Sequence, residues 1–303
     1  NYEQVLSAPL PEQVRRNIYL QLNSIRLREP SMRFTVELVS DSNPQQSTSS
    51  RVVFIGGRPY SLNNANQGEL QWGVAATASG IYPIPADPSW FIQFFGQMYE
   101  YPERKLDNSY AQSTIGKRLA FGANEVTLSL GGQASWNQGN EQYAGMVARA
   151  TGLWTQSPKF AWRGDLSLNT YNYQTLTFLD GELTTVALTA LYIPNPTQRW
   201  ELGGFFSYYG AAEAPYSYRQ PGISLFASQE WAEGWITGLR LLGSKSNFLA
   251  PDPFFGEIRR DTEGRIELIL GNRKLRWHGV SPLTTIGYIQ RESTLEINSS
   301  NRL

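Results

Sequence analysis

The chain has 303 residues, a mean hydropathy of −0.38 and a formal net charge of zero from 26 basic and 26 acidic residues. This balance gives no indication of nucleic-acid binding, and no run of roughly 18 apolar residues exists to form a transmembrane helix. Because the chain has no cysteine, disulfides and thiolate metal sites are excluded as well.

The first segment, residues 1–29, differs from the rest of the chain. Pro11 and Glu12 can open a helix that runs to about Arg26. Its apolar residues share one stripe at helical spacing: Val14, Ile18, Leu22 and Ile25. We predict a linker helix that packs on a further domain. The alternative is a helix that plugs the barrel predicted from residue 30 onward.

From Ser31 the apolar period changes from helical spacing to two, which is the period of a β-strand. Residues 124–136 show this best, with Val126, Leu128, Leu130, Ala134 and Trp136 on one face and Thr127, Ser129, Gln133 and Ser135 on the other. Thirteen such strands are predicted: 31–40, 69–82, 89–101, 109–121, 124–136, 142–154, 159–173, 182–193, 199–209, 218–230, 235–248, 263–276 and 282–293. Residues 51–62 predict a separate small hairpin.

The strands indicate a transmembrane antiparallel up-and-down β-barrel over residues 30–303, placed in a bacterial outer membrane. Each strand is long enough to cross a bilayer when tilted, and only alternate residues need to be apolar. Short connections, such as Gly122–Ala123 and Pro194–Gln198, alternate with longer ones, notably 41–68 and 249–262. Outer-membrane barrels sort their connections in this way, with short turns in the periplasm. The N-terminus and its helix are therefore expected in the periplasm.

Thirteen is an unsuitable strand number, because an antiparallel bacterial barrel closes with an even number and an unpaired edge in lipid is costly. The chain ends at Leu303, just after a loop-like stretch over Glu296–Ser300. We therefore predict fourteen strands, of which the last is incomplete in this sequence.

Charged and amide side chains whose phase places them opposite the apolar face are predicted to line a water-filled lumen. They are Lys117, Gln133, Arg163, Asp165, Arg240, Arg265 and Glu267. Salt-bridged pairs that stiffen the lumen and residues that line a substrate path are both open interpretations. No stripe of one charge sign appears.

Tryptophans near the strand ends predict aromatic girdles at the membrane surfaces. They are Trp72, Trp90, Trp136, Trp154, Trp200, Trp235 and Trp277. The alternative is that they form platforms for sugar rings.

The sequence predicts no enzyme, cofactor or metal site. The single histidine, His278, lies beside Trp277 in a predicted turn, where a membrane-surface role is favoured over a Ser-His-Asp lipase. No phosphate-binding loop exists. Three loop carboxylates, Asp252, Glu257 and Asp261, lack the spacing of a calcium loop.

Several segments resemble the C-terminal barrel of the surface lipoprotein assembly modifier family. The first strand ends in Asp41-Ser42-Asn43, as the family's first strand does. The range Ala250–Gly256 is similar to the family's Ala-Pro-Asp-Pro-Leu-Phe-Gly loop, with Phe254 in place of leucine, and Arg259-Arg260-Asp261 follows it. Gly279–Pro282 is similar to a family turn, although that turn usually has an aromatic residue before Thr-Pro. Leu10–Ile18 resembles the segment that joins the family's periplasmic tetratricopeptide repeats to its barrel.

The resemblance implies a fourteen-stranded translocon that moves lipoproteins or soluble proteins across the outer membrane to the cell surface or medium, a process also called type XI secretion. Residues 1–29 would then be a periplasmic linker to a repeat domain that this sequence lacks, and the family's aromatic-ended last strand is also missing. Expected partners are the protein cargo, outer-membrane lipid, periplasmic chaperones and the barrel assembly machinery. A passive small-solute porin is the alternative function.

Within this resemblance, one loop is the candidate for shaping or gating the exit of the conduit. It comprises Asp252, Pro253, Phe254, Phe255 and Gly256, together with Arg259 and Arg260 at the start of the next strand.

Overall fold

A computed structural model describes residues 14, 29–44, 47–48, 52–55, 58–62, 70–275 and 281–303. The predicted N-terminal helix, apart from Val14, lies outside these residues, and so do Trp277 and His278. Among the described residues no helix has the length and apolar character to cross a membrane.

The described residues form strands joined by turns and short 3-10 helices. The strands are β1 Ser31–Asp41, β2 Val52–Ile55, β3 Arg58–Ser61, β4 Gln71–Ile84, β5 Asp87–Glu100, β6 Asn108–Phe121, β7 Asn124–Asn137, β8 Asn140–Ser157, β9 Phe160–Tyr173, β10 Gly181–Tyr192, β11 Gln198–Ala211, β12 Tyr218–Glu230, β13 Trp235–Pro251, β14 Ile258–Asn272, β15 Leu283–Ser293 and β16 Ser300–Arg302. The 3-10 helices are Arg104–Leu106, Thr177–Leu179, Ala214–Tyr216, Ala232–Gly234 and Glu296–Asn298.

Fourteen of the strands form one antiparallel sheet in the order β1-β4-β5 and then in sequence to β16. Each strand pairs with its chain neighbour, as an up-and-down barrel requires. The remaining two, β2 and β3, form a separate hairpin between β1 and β4, which confirms the hairpin predicted within residues 51–62. The all-β barrel class and the number of fourteen strands are both confirmed.

The sheet curls until its two ends meet. β16 pairs with Ile289–Arg291 of β15, and its far side reaches the end of β1. There the backbone N–H of Ser42 donates to the carbonyl of Leu303 at 3.2 Å. The side-chain Nδ2 of Asn43 donates to the backbone carbonyl of Asn301 at 3.1 Å. These bonds join the first and last strands of the sheet at the loop end and so nearly close the barrel.

The two ends of the barrel differ in their connections. We call the end with connections 85–86, 122–123, 158–159, 193–197 and 231–234 the turn rim, and the end with connections 101–107, 138–139, 174–180, 212–217, 252–257 and 294–299 the loop rim. β1 begins at the turn rim, since Ser31 pairs with Ile81 near the end of β4. The predicted sorting into shorter and longer connections is therefore present, with 138–139 as a short exception on the loop rim.

One predicted connection is longer than the one observed. The sequence indicated a loop over residues 249–262 and a strand over 263–276, but β13 extends to Pro251 and β14 spans Ile258–Asn272. Pro251 pairs with Ile258 after an irregularity in register that begins at Asn247. The ends of these strands were not predicted because β13 ends in Pro251 and because the alternation of apolar and polar residues is interrupted there.

Candidate functional site: the lumen and the loop rim

The two faces of the sheet differ in chemistry, as β14 shows. Ile266, Leu268 and Leu270 are exposed on the outer face, Leu268 to 54%. Glu263, Arg265 and Glu267, which occupy the opposite phase of the strand, point to the inner face and make ion pairs there. Because residues directly opposite in an antiparallel ladder share a face, the register carries this division around the barrel.

A first cluster of ion pairs lies on the inner face of β9 and β11. Nε of Arg163 donates to Oδ2 of Asp165 at 3.2 Å, and its Nη2 lies 3.8 Å from Oε2 of Glu201. Nε of Arg199 donates to the other oxygen of Glu201 at 2.7 Å. Asp165 also accepts a hydrogen bond from the hydroxyl of Thr151 at 3.0 Å. The structure thus places two of the predicted lumen residues, Arg163 and Asp165, in one network.

A second cluster lies on the inner face of β13, β14 and β15. Nη1 of Arg240 donates to Oε2 of Glu267 at 2.7 Å, and Arg265 lies 3.8 Å from the other oxygen of Glu267. Arg265 also approaches Glu263 at 4.0 Å, and Arg291 donates to Glu263 at 2.7 Å. Charges of both signs therefore alternate across three strands, which explains why the sequence shows no stripe of one sign.

Gln133 also lies on the inner face, where it is nearly buried. Its Oε1 accepts a hydrogen bond from the hydroxyl of Tyr110 at 2.9 Å, and its Nε2 donates to the carbonyl of Thr170 at 3.1 Å. Thr170 is in β9, so this side chain reaches from β7 across β8. Its two bonds connect β7 to β6 and to β9, close to an irregularity in the register between β7 and β8.

Lys117 does not line the lumen, and its prediction was wrong. It pairs in register with Trp90 on one side and with Leu128 on the other. Leu128 and Ile115 are exposed on the outer face, so Lys117 is on the outer face as well. Its Nζ lies 5.1 Å from the centre of the Trp90 ring. Because the lysine side chain is long, its ammonium group can extend past an apolar surface. The charge of a lysine therefore does not by itself indicate that it faces the lumen.

A cluster of aromatic side chains on the inner face near the loop rim was not predicted. We call it the tyrosine belt: Tyr143, Tyr171, Tyr173, Tyr209, Tyr218 and Phe248. Successive ring centres are separated by 5.0 Å from Tyr143 to Tyr171, 6.0 Å from Tyr171 to Tyr209 and 5.5 Å from Tyr209 to Tyr218. The belt ends where Phe248 lies 5.4 Å from Tyr218 and 4.6 Å from the guanidinium of Arg259. Rings at such distances attract each other through offset and edge contacts.

Two tyrosines in the sequence could have signalled the belt. Tyr171 and Tyr173 occupy the polar phase of β9, in line with Ser167 and Asn169. Aromatic residues near strand ends usually suggest a membrane girdle, whereas the phase of these two tyrosines indicates the inner face.

The loop over residues 252–257 has a compact geometry set by one carboxylate. Oδ1 of Asp252 accepts hydrogen bonds from the backbone N–H of Phe254 at 2.8 Å and of Phe255 at 3.0 Å. Gly256 has a φ of 71°, a left-handed conformation that favours glycine. Phe254 is 68% exposed at the tip, and its ring packs edge-on against Phe255 at 5.1 Å. Pro253 lies in the same turn.

Arg259 and Arg260 follow this loop on opposite faces of β14. Arg259 points inward, where its guanidinium donates to Asp261 at 2.6 Å and lies over Phe248. The backbone N–H of Arg260 donates to the hydroxyl of Thr294 at 2.9 Å, which joins this strand to the neighbouring loop. The candidate gating residues thus divide into an exposed tip and an anchored base.

Four loops of the loop rim share one internal architecture. In each, a 3-10 turn is followed by an Asp or Ser whose side chain accepts a hydrogen bond from a backbone N–H at the entry to the loop. The bonds join Tyr101 to Asp107 at 2.8 Å, Tyr173 to Asp180 at 2.6 Å, Ala211 to Ser217 at 2.9 Å and Ser293 to Ser299 at 3.0 Å. In the first of these loops, burial raises the pKa of the Tyr101 hydroxyl above its ordinary value. In all four loops, one such bond therefore joins the entry of the loop to its end.

The predicted girdle tryptophans lie on the outer face at the described positions. Trp90, Trp154, Trp200 and Trp235 are exposed near the turn rim, while Trp72 is exposed near the loop rim. Trp136 is half-buried near the loop rim. Among the described residues no group of three or more His, Cys, Asp or Glu is arranged to hold a metal ion.

Comparison with known proteins gives two curated relatives. A surface lipoprotein assembly modifier of Moraxella catarrhalis is 22% identical over 309 aligned residues, which cover 96% of this chain and 56% of that protein. A surface lipoprotein assembly modifier of Pasteurella multocida strain Pm70 is 24% identical over 132 residues, which cover 41% of this chain and 26% of that protein. The chain thus spans about half the length of the first relative.

No solved structure gives a significant match to the chain. At the level of families, residues 35–302 match the family described as surface lipoprotein assembly modifier. That match covers most of the chain and nearly the whole barrel. The protein therefore belongs to the surface lipoprotein assembly modifier family.

Proposed function

We propose that this chain forms an outer-membrane translocon that exports lipoproteins or soluble proteins to the cell surface or medium. The observation that carries the proposal is a barrel whose outer face is apolar and whose inner face carries paired charges, in a member of a family named for surface lipoprotein assembly. An apolar exterior with a polar interior is the arrangement of barrels that span a membrane.

The proposed orientation places the turn rim in the periplasm. β1 starts at this rim, so residues 1–29 would lie on the same side and link the barrel to a periplasmic repeat domain. The outward tryptophans concentrated there, among them Trp90, Trp154 and Trp235, would mark the nearer membrane surface. The loop rim would then face the cell exterior.

Cargo would pass along the inner face of the barrel. Arginine and carboxylate side chains satisfy one another there, so a passing polypeptide meets a hydrated wall that holds it weakly. The barrel would act as a conduit without chemistry of its own, and the energy would come from cargo folding outside, from periplasmic chaperones or from another machine. Chaperones and the barrel assembly machinery are therefore proposed partners, beside outer-membrane lipid.

The loop of Asp252 to Gly256 is proposed to shape the exit. Its base is fixed by Asp252 and by the Arg259–Asp261 ion pair, whereas the Phe254 ring is free to contact an emerging segment. Replacing Phe254 by alanine should impair export at a normal protein level, because an exposed ring adds little stability. Intact export in that variant would remove the loop from the mechanism.

The decisive experiment is deletion of the full-length gene and its restoration, with surface and extracellular proteins compared by quantitative mass spectrometry. Loss of a few specific proteins, regained with the intact gene, is the expected result. An unchanged set of external proteins would favour a small-solute porin. Single-channel conductance of the purified barrel in planar bilayers would then measure solute passage directly.

A further inference from the structure

The outer face of the barrel carries a groove that runs along β8, which we call the lysine groove. Its floor is formed by two small side chains, Ala148 and Ala150. In register, Leu130 and Leu128 of β7 stand on one side, and Leu168 and Leu166 of β9 stand on the other. All four leucines are exposed, and the groove has a volume of about 570 Å³. Small residues flanked by large ones leave an apolar depression between the two rows of leucines.

Trp154 closes the groove toward the turn rim. A Cβ atom added at Gly152 would lie 2.3 Å from the Trp154 ring, and one added at Gly164 would lie 3.1 Å from it. The ring therefore occupies the space above the two glycines, at the turn-rim end of the groove. This arrangement gives the groove a defined end instead of an open slope.

Lys117 stands beside the groove on the same face, next to Leu128. Among the described residues no ion pair includes Lys117, and its charge interacts electrostatically with the carboxylate of Asp87 at the start of β5. The groups that face it otherwise are the Trp90 ring, Ile115 and Leu128. A lysine on a lipid-facing wall costs up to about 2–4 kcal/mol at mid-depth, so a cation held here calls for an anionic partner.

A second groove of the same size serves as an internal comparison, and we call it the neutral groove. It has a volume of about 560 Å³ on the opposite part of the wall. Its outward lining residues are uncharged: Leu202, Ile223, Leu225, Leu241, Gly243, Gly264, Ile266, Tyr288 and Gln290. The two grooves therefore offer similar apolar volume and differ in the cation.

We propose that the lysine groove is a binding site for an anionic glycerophospholipid, with one acyl chain on Ala148 and Ala150 and the phosphate group beside Lys117. The occupant is a lipid of the leaflet on the turn-rim side, because the lysine side chain can reach the surface only in that direction. The inference rests on the proposed membrane location. It adds to the proposed export function a bound lipid on the wall, outside the conduit.

The test uses the full chain folded in phosphatidylcholine vesicles that contain a photoactivatable lipid with a diazirine on one acyl chain. One sample carries this probe as phosphatidylglycerol and the other as phosphatidylcholine. After irradiation, mass spectrometry measures labelling of peptides from each groove. The quantity compared is labelling by the anionic probe divided by labelling by the zwitterionic probe.

The lysine groove should show a ratio about fivefold above that of the neutral groove, which corresponds to roughly 1 kcal/mol for one cation at a membrane surface. Lys117→Gln should lower the ratio to that of the neutral groove, and Lys117→Arg should retain it. Ala150→Phe should abolish labelling of the lysine groove by filling it. Gly243→Phe, whose added Cβ meets no atom closer than 4.0 Å, should do the same only in the neutral groove.

Equal ratios in the two grooves, or a ratio unaffected by Lys117→Gln, would overturn the lipid site while leaving the membrane location intact. Absence of labelling in both grooves, in vesicles that retain the protein on flotation, would instead contradict the membrane location of the wall and with it the export proposal.

Discussion

The carboxylate of Asp41 at the end of β1 forms an ion pair with the guanidinium of Arg302 in β16, and so joins the first strand of the barrel to the last. Asp41 is almost completely buried, and its other oxygen accepts a hydrogen bond from the backbone N–H of Asn43 at 2.8 Å. The hydroxyl of Ser42 accepts a hydrogen bond from the N–H of Leu303 at 2.8 Å beside it. Three successive residues thus close the seam at the loop rim.

Replacing Asp41 by asparagine should destabilise this seam. The amide retains an acceptor for Asn43 but leaves the Arg302 guanidinium without its counter-charge in a largely buried place. Since Arg302 is about one-third exposed, we expect a loss of about 2 kcal/mol in the free energy of unfolding. Urea titration of the barrel in vesicles measures it. Glu103→Gln removes the exposed pair with Lys105 and should change the same quantity by less than about 0.5 kcal/mol.

Two adjacent glycines in β7 should respond differently to the same substitution. A Cβ atom at Gly131 would lie 1.9 Å from the backbone carbonyl oxygen of Ser113, whereas one at Gly132 would approach nothing closer than 3.8 Å. Gly131→Ala must therefore push β6 and β7 apart, with an expected cost of about 3 kcal/mol. Gly132→Ala should be nearly neutral. Comparable midpoints for the two variants in denaturant would contradict the close strand approach.

The hydroxyl of Tyr209 ties the tyrosine belt to the loop rim, because it donates to the carbonyl of Leu179. Tyr209→Phe keeps the ring contacts with Tyr171 and Tyr218 and removes this bond. We expect amide exchange of Leu179 and Asp180 to rise about fivefold, which corresponds to about 1 kcal/mol of lost local stability. Tyr82→Phe, at an exposed outward position, should leave exchange of these amides unchanged. A general rise in both variants would indicate that the loop is not held by this bond.

The second ion-pair cluster makes a prediction about ion passage. Glu267→Gln removes one negative charge from the inner face and releases Arg240, so the lumen should become more selective for anions. One charge at several ångströms in water changes a permeability ratio by about threefold. The reversal potential across a planar bilayer in a salt gradient measures the change. Arg240→Gln should move the reversal potential in the opposite direction, and shifts of the same sign would contradict the inward position of this pair.

The strands were predictable because each strand of the barrel alternates between an apolar outer face and a polar inner face, and the residue types alternate accordingly. β7, β9 and β12 follow the predicted ranges within a residue or two at their ends. The 3-10 turns were not predictable in the same way. They depend on a bond between two positions about six residues apart, such as Ala211 and Ser217, which no periodicity reveals.

The site was predictable only where charge and phase agreed. Arg163, Asp165, Arg240, Arg265 and Glu267 share the polar phase of their strands, and the structure places them on the inner face. Lys117 shares the phase of Ile115 instead, so phase was the better guide there and charge misled. The role of the loop of Asp252 to Gly256 in shaping the exit is proposed from the exposed ring of Phe254, and export by the Phe254→Ala variant tests it.

The pairing of opposite charges along the inner face affects how strongly the charge of a polypeptide segment would influence its passage. The first cluster pairs two arginines with two carboxylates and the second pairs three arginines with two, so these nine charges leave an excess of only one positive charge. An acidic segment and a basic segment would therefore cross at nearly equal electrostatic cost. If the proposed export function holds, recognition of one protein among many would then happen before arrival at the barrel, and the barrel itself would be a common exit.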